Sequence, residues 1–90
     1  AGADCLCVFL GKEENAYKVL TKNKFLLTDE IEVITPKECF KAKVTKITDS
    51  KTGEEKQLSN TNDVSLIELS QAPNDYEYAL ARTVGVKNLR

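Results

Sequence analysis

Turn-forming residues punctuate this chain so regularly that no helix of ordinary length fits between them. The clusters GKEEN (11–15), TKNK (21–24), LTDE (27–30), TPKE (35–38), DSKTGEE (49–55), SNTND (59–63) and QAPND (71–75) enclose short runs rich in Val, Ile, Leu, Phe and Thr. Strands at a spacing of roughly 8–12 residues are the pattern of an all-β sandwich or barrel. The expected fold is all-β: a small antiparallel-rich barrel of about six strands, closed within residues 5–69. The segment 75–84 is open to two readings. Tyr76, Ala79, Leu80 and Thr83 suit a short helix capped by Asn74, whereas Tyr76, Tyr78 and Leu80 suit an edge strand.

Several runs display their faces. In residues 30–35, Ile31 and Val33 alternate with Glu30 and Glu32. In residues 39–45, Phe40, Ala42 and Val44 share the face expected to point inward, and Lys41, Lys43 and Thr45 share the other. The phase then slips, because Ile47 follows Val44 by three positions rather than two, which predicts a β-bulge near Lys46. The opening run CLCVFL (5–10) is apolar throughout and reads as a strand covered on both sides or at a barrel seam, with Cys5 and Cys7 on one face. Ser50, Lys51, Thr52 and Gly53 read as a hairpin turn in which Gly53 supplies a positive φ. Pro36, which has no N–H for the ladder, ends its strand.

Composition narrows the function by exclusion. The 90 residues suffice for one domain, 1–90, which must turn most of its apolar side chains inward. There is no His, so imidazole acid–base chemistry, His-dependent triads and His metal ligands are excluded together. Thirteen Lys and Arg against 14 Asp and Glu leave a net charge of -1, unlike a DNA or RNA coat protein. No apolar run approaches the ~20 residues of a membrane span. Three Cys, two of them at positions 5 and 7, suit reduced thiols in the cytoplasm better than disulfides. The chain opens Ala-Gly-Ala, which suits initiator removal and equally a segment cut from the interior or end of a longer protein; a C-terminal fragment is the expectation.

Three constellations could carry chemistry. Cys5, Cys7 and Cys39 fall one ligand short of an ordinary metal or iron–sulfur set and read as small apolar residues; neither metal nor cofactor is expected. The acidic pairs Glu13-Glu14, Asp29-Glu30 and Glu54-Glu55 fall in turns, where both carboxylates are hydrated, so no catalytic residue is assigned. Lys41, Lys43 and Lys46, with Lys22 and Lys24, form the one basic concentration. They are the candidate ligand-binding residues, suited to a phosphate backbone or an acidic protein surface, although strand lysines also serve solubility and block edge pairing.

The stretch TKNKFLLTDEIEVITPKECFKAKVTKITDSKTGEE (21–55) resembles the C-terminal domain of the collagenase-like peptidases, family U32. The matching features are Asn23 and Phe25, then Asp29, the acidic-apolar run 30–35, Pro36, the run 40–47, and Asp49 with Gly53. Near the end, Pro73, Tyr78, Ala79, Leu80 and Arg82 take the places of the family's closing pattern. Two features depart from it: Thr28 stands where the family has Gly before Asp, and SNTND (59–63) replaces its usual turn. The resemblance implies a barrel similar to the second domain of translation elongation factors. It also implies that catalysis belongs to a larger preceding domain of the same chain, in peptidases or in relatives that resemble RNA- or quinone-modifying hydroxylation factors with an iron–sulfur cluster. The barrel would then be a non-catalytic accessory module holding a protein or RNA substrate, tRNA modification included, or a partner, with no role in DNA or membrane binding. The alternative is a stand-alone interaction barrel of the translation-factor type, and a free-standing Cys or carboxylate enzyme is disfavoured by the missing His.

Overall fold

The computed structural model describes residues 4–84; the Ala-Gly-Ala opening lies outside them. Nine strands occur among the described residues: β1 (Cys5–Glu13), β2 (Ala16–Thr21), β3 (Phe25–Leu26), β4 (Glu30–Ile34), β5 (Cys39–Asp49), β6 (Glu55–Lys56), β7 (Leu58–Ser59), β8 (Val64–Leu69) and β9 (Leu80–Thr83). No helix forms among the described residues. The sheet runs β4-β9-β1-β2-β8-β5 and closes through β4–β5, a six-stranded barrel with every pairing antiparallel. The short β6 extends it from β5, and β3 with β7 makes a separate two-stranded ribbon.

The binary pattern of the strands produces the core. Val19, Ile31, Val33, Val44, Ile47 and Ile67 are fully buried, all at inward-pointing positions of their strands. Removing such a side chain from water contributes about 1.5–3 kcal/mol. On β5, Ala42 and Val44 point in while Lys41, Lys43 and Thr45 point out, as the alternation predicts. The phase slip is a β-bulge: Val44 pairs with Leu69 but Lys46 with Glu68, leaving Thr45 extra. Phe40 is only half-buried, because it sits at the barrel's end and packs against the core's rim rather than within it. The hairpin at 50–53 has Gly53 at φ 78°, and Asp49 Oδ1 accepts from the N–H groups of Lys51 and Thr52 at 2.8 and 2.9 Å.

Two expectations are corrected. The barrel does not close within residues 5–69: β9 is inserted between β1 and β4, and only its two ladders complete the ring. The segment 75–84 is therefore neither a helix capped by Asn74 nor an edge strand. It turns through Tyr76 and Tyr78 and then enters the barrel, with Ala79 and Ala81 buried where the neighbouring strands leave room for small side chains. The strand holding Cys5 and Cys7 likewise slips in its register against β9, so Leu6 and Cys7 are both buried and Cys5 is half-exposed.

The ribbon is fastened to the barrel by three buried hydroxyls. Ser59 Oγ lies 2.7 Å from Thr21 Oγ1 and 2.7 Å from Ser65 Oγ, a continuous chain in which each polar atom satisfies the next.

Candidate functional site

The basic residues occupy two elements. Lys41 and Lys43 project from the outer face of β5, and Lys46 follows beyond the bulge. Lys22 and Lys24 are exposed in the loop leaving β2, which is anchored by the N–H groups of Lys22 and Asn23 on the Leu6 carbonyl. The register sets each strand lysine beside an acid. Lys41 faces Glu32 and Lys43 faces Glu30 across the β4–β5 ladder, and Lys46 faces Glu68 and reaches Glu55 at 3.8 Å. The outer surface of β5 is thus a charge-alternating face, whose field falls off within a Debye length of about 8 Å. Lys22 and Lys24 make no ion pair among the described residues.

The thiols are poorly suited to nucleophilic work. Burial, reinforced by the neighbouring Cys5, pushes the Cys7 thiol up to about 12. Cys39 is exposed, but its Sγ donates to Glu32 Oε2 at 3.2 Å, and that hydrogen bond raises its pKa. Glu32 is itself held below the usual carboxylate range, first by Arg82 Nε at 2.9 Å and then by the Cys39 thiol. No group of three or more His, Cys, Asp or Glu able to hold a metal occurs among the described residues. The acidic pairs, expected in turns, straddle strand ends instead: Glu14, Asp29 and Glu54 lie in the connections, whereas Glu13 ends β1, Glu30 opens β4 and Glu55 opens β6. Asp29 serves the fold, its Oδ2 accepting from the Leu26 N–H at 2.8 Å.

Two adjoining concavities flank the turn before β9, where sequence reasoning placed no site. A groove of about 300 Å³ opens between the loop after β4 and the turn before β9, with Pro36 and Tyr78 among its walls. A second of about 570 Å³ runs from Val8 and Leu10 to Tyr76 and Tyr78. The two meet at Glu77 and Tyr78. Their walls are braced: Asn74 donates from its backbone N–H to Glu38 Oε2 at 2.8 Å, and Thr35 Oγ1 accepts from the N–H groups of Lys37 and Glu38. The Tyr76 ring lies 6.2 Å from that of the buried Tyr17. Tyr78 itself is 87% exposed at a φ of 60°, and Leu10 is 52% exposed where β1 bulges between Phe9 and Gly11. A bulky residue held in the left-handed region with its ring in water is an arrangement that core packing does not explain. The available signal was Leu10 beside Gly11, an apolar residue next to a possible bulge.

The family model for the peptidase family U32 C-terminal domain matches residues 3–82. The chain belongs to that family. Two crystal structures share the fold, both of the C-terminal domain of a Geobacillus thermoleovorans protein described as a U32 peptidase. The selenomethionine variant is 22% identical, with a TM-score of 0.70 over 90% of this chain and 98% of that one. The other is 21% identical, with a TM-score of 0.66 over 89% and 88% of the two chains. No curated protein matches the chain. The match therefore extends the resemblance seen in residues 21–55 to residues 3–82 of this chain, and Thr28, where that resemblance led to the expectation of glycine, adopts a φ of 73°.

Proposed function

We propose that this U32 C-terminal domain is a non-catalytic accessory barrel that recognises a polypeptide substrate or partner for a catalytic domain preceding it in the parent chain. The observation that carries this reading is the pair of braced grooves meeting at the exposed Tyr78. Concave, largely apolar surfaces with a few fixed polar groups are where ligands bind. The buried Cys7 and the carboxylate-bonded Cys39 support assigning catalysis elsewhere.

The test uses the full-length protein with labelled gelatin as substrate. Tyr78→Ala is expected to raise KM with a much smaller effect on kcat, and the 90-residue chain alone to hydrolyse nothing. Hydrolysis by the isolated chain, or a loss confined to kcat, overturns the proposal.

A second reading assigns RNA or an acidic partner to Lys22, Lys24, Lys41, Lys43 and Lys46. Lys22 and Lys24 favour it, being exposed and outside the acid pairing that occupies β5. Labelled tRNA titrated at low and moderate salt decides: Lys41→Glu with Lys43→Glu, or Lys22→Glu with Lys24→Glu, should weaken binding. Equal binding by wild type and both variants removes the basic residues from the function.

A further inference from the structure

Beside the Tyr78 grooves lies an open strand edge. β1 is flanked by β2 from Cys7 to Glu13, but its ladder with β9 covers only Cys5, Cys7 and Val8, ending in the Phe9 N–H to Ala79 carbonyl bond of 3.1 Å. From Gly11 to Glu13 the strand pairs with β2 alone, through Gly11–Lys18, Lys12–Tyr17 and Glu13–Ala16. No strand among the described residues runs along the other side. An edge of this kind offers unpaired N–H and C=O groups as a template for another strand. Proteins guard such edges with charge, commonly Lys. Here the Lys12 ammonium lies 5.6 Å from the centroid of the Tyr17 ring, drawn over the β2 side.

We propose that this edge takes an extended polypeptide segment as an added strand, with an apolar side chain seated between Leu10 and Tyr78 and a Lys or Arg reaching Asp75 and Glu77. The reading rests on the recognition role proposed above and adds the chemistry of what is recognised. Strand addition supplies main-chain hydrogen bonds, and pockets for alternate side chains supply selectivity. Both are present, since the second groove borders β1 at Val8 and Leu10. Charge selects the occupant. The charged side chains lining the two grooves are Glu38, Asp75 and Glu77 against Lys37, and Glu38 is already engaged by Asn74. Asp75 Oδ1 accepts from the Glu77 N–H at 3.0 Å, which holds the two acidic residues side by side. A nucleic acid would meet these carboxylates with phosphates, whereas a basic side chain on an added strand answers them.

The test follows the backbone amides of the isotope-labelled chain by NMR while adding the acetylated, amidated peptide Thr-Lys-Leu-Arg-Val-Ser. Its counterparts carry Glu in place of Lys and Arg, or N-methyl groups on alternate residues. Amides of residues 10–13 and 76–80 are expected to move with the basic peptide. Affinity should fall by about tenfold in Glu77→Lys and fall steeply with salt. N-methylation in one phase should abolish binding and in the other spare it, since only alternate N–H groups of an added strand face its neighbour. Equal binding by the acidic peptide overturns the basic chemistry while leaving the grooves as a recognition surface. Equal binding by both N-methylated peptides overturns strand addition. If the basic peptide leaves these amides unmoved, or they move only with the chain's own concentration as it dimerises, the proposal fails.

Discussion

Thr28 donates its backbone N–H to the Val44 carbonyl at 2.9 Å while holding a φ of 73°. The Val44 N–H in turn donates to the Asp29 carbonyl at 2.9 Å, so the turn before β4 is bonded on both sides to the strand that must pair with it. The conformation is set by this ladder rather than by the residue. A β-branched side chain in the left-handed region is strained, and a glycine would not be. Thr28→Gly is expected to stabilise the domain by about 1 kcal/mol, the relieved strain exceeding the added freedom of the unfolded chain. Urea unfolding followed by tyrosine fluorescence measures it. A destabilised variant would show that the Thr28 side chain contributes more than its backbone strain costs.

The strand closing the barrel permits a sharper test. Ala81 is fully buried and pairs with Cys7 on one side and Val33 on the other. A chain ending before Leu80 would leave the β9-facing sides of both β1 and β4 without a partner. Such a truncation should lose the cooperative unfolding transition and the dispersed amide spectrum. Retention of both would mean that residues 5–69 make a self-sufficient barrel after all.

Features legible in the sequence are local, and those that are not depend on register. The slip from Val44 to Ile47 marks the bulge within a few residues, and Gly53 marks its hairpin, because each signal lies within one turn or strand. The place of β9 inside the ring was hidden because its inward residue is Ala81, preceded by the buried Ala79, and small alanines do not stand out as a core stripe. The acids opposite Lys41 and Lys43 were visible as Glu32 and Glu30, but only the β4–β5 pairing reveals that they are neighbours. The groove at Tyr78 was missed for a third reason: its shape comes from two loops braced across 36 positions of sequence by Asn74 and Glu38.

The Glu32 carboxylate couples Arg82 on one side to Cys39 on the other. Its hydrogen bond raises the Cys39 pKa, so less thiolate is present at neutral pH than in an ordinary exposed cysteine. Glu32→Gln should move the pH profile of Cys39 alkylation by iodoacetamide to lower pH, with faster reaction at neutrality. Cys7 should stay unmodified in the folded protein of both forms, being buried with its pKa pushed up to about 12. Mass spectrometry of the alkylated peptides separates the sites. An unchanged profile for Cys39 would mean that the thiol does not keep this hydrogen bond in solution.

Asp49 gives the domain a pH dependence of known sign. The N–H groups of Thr52 and Lys51 hold its carboxyl below the usual range, assisted by the Lys56 ammonium at 3.9 Å. A group whose pKa is depressed by folding stabilises the native state above its unfolded value, and that contribution disappears as pH falls through the folded value. Stability should therefore decline on acidification below about pH 4. Asp49→Asn retains a side-chain oxygen able to accept from Thr52 and Lys51, but it removes the titration. The variant should be less stable than wild type at neutral pH, and the two should converge in acid. Urea midpoints measured across this interval decide the matter. Parallel curves for the two proteins would show that the hairpin carboxylate does not contribute to acid sensitivity, and the slope would then have to be sought at Glu32, the other carboxyl held low by its hydrogen bonds.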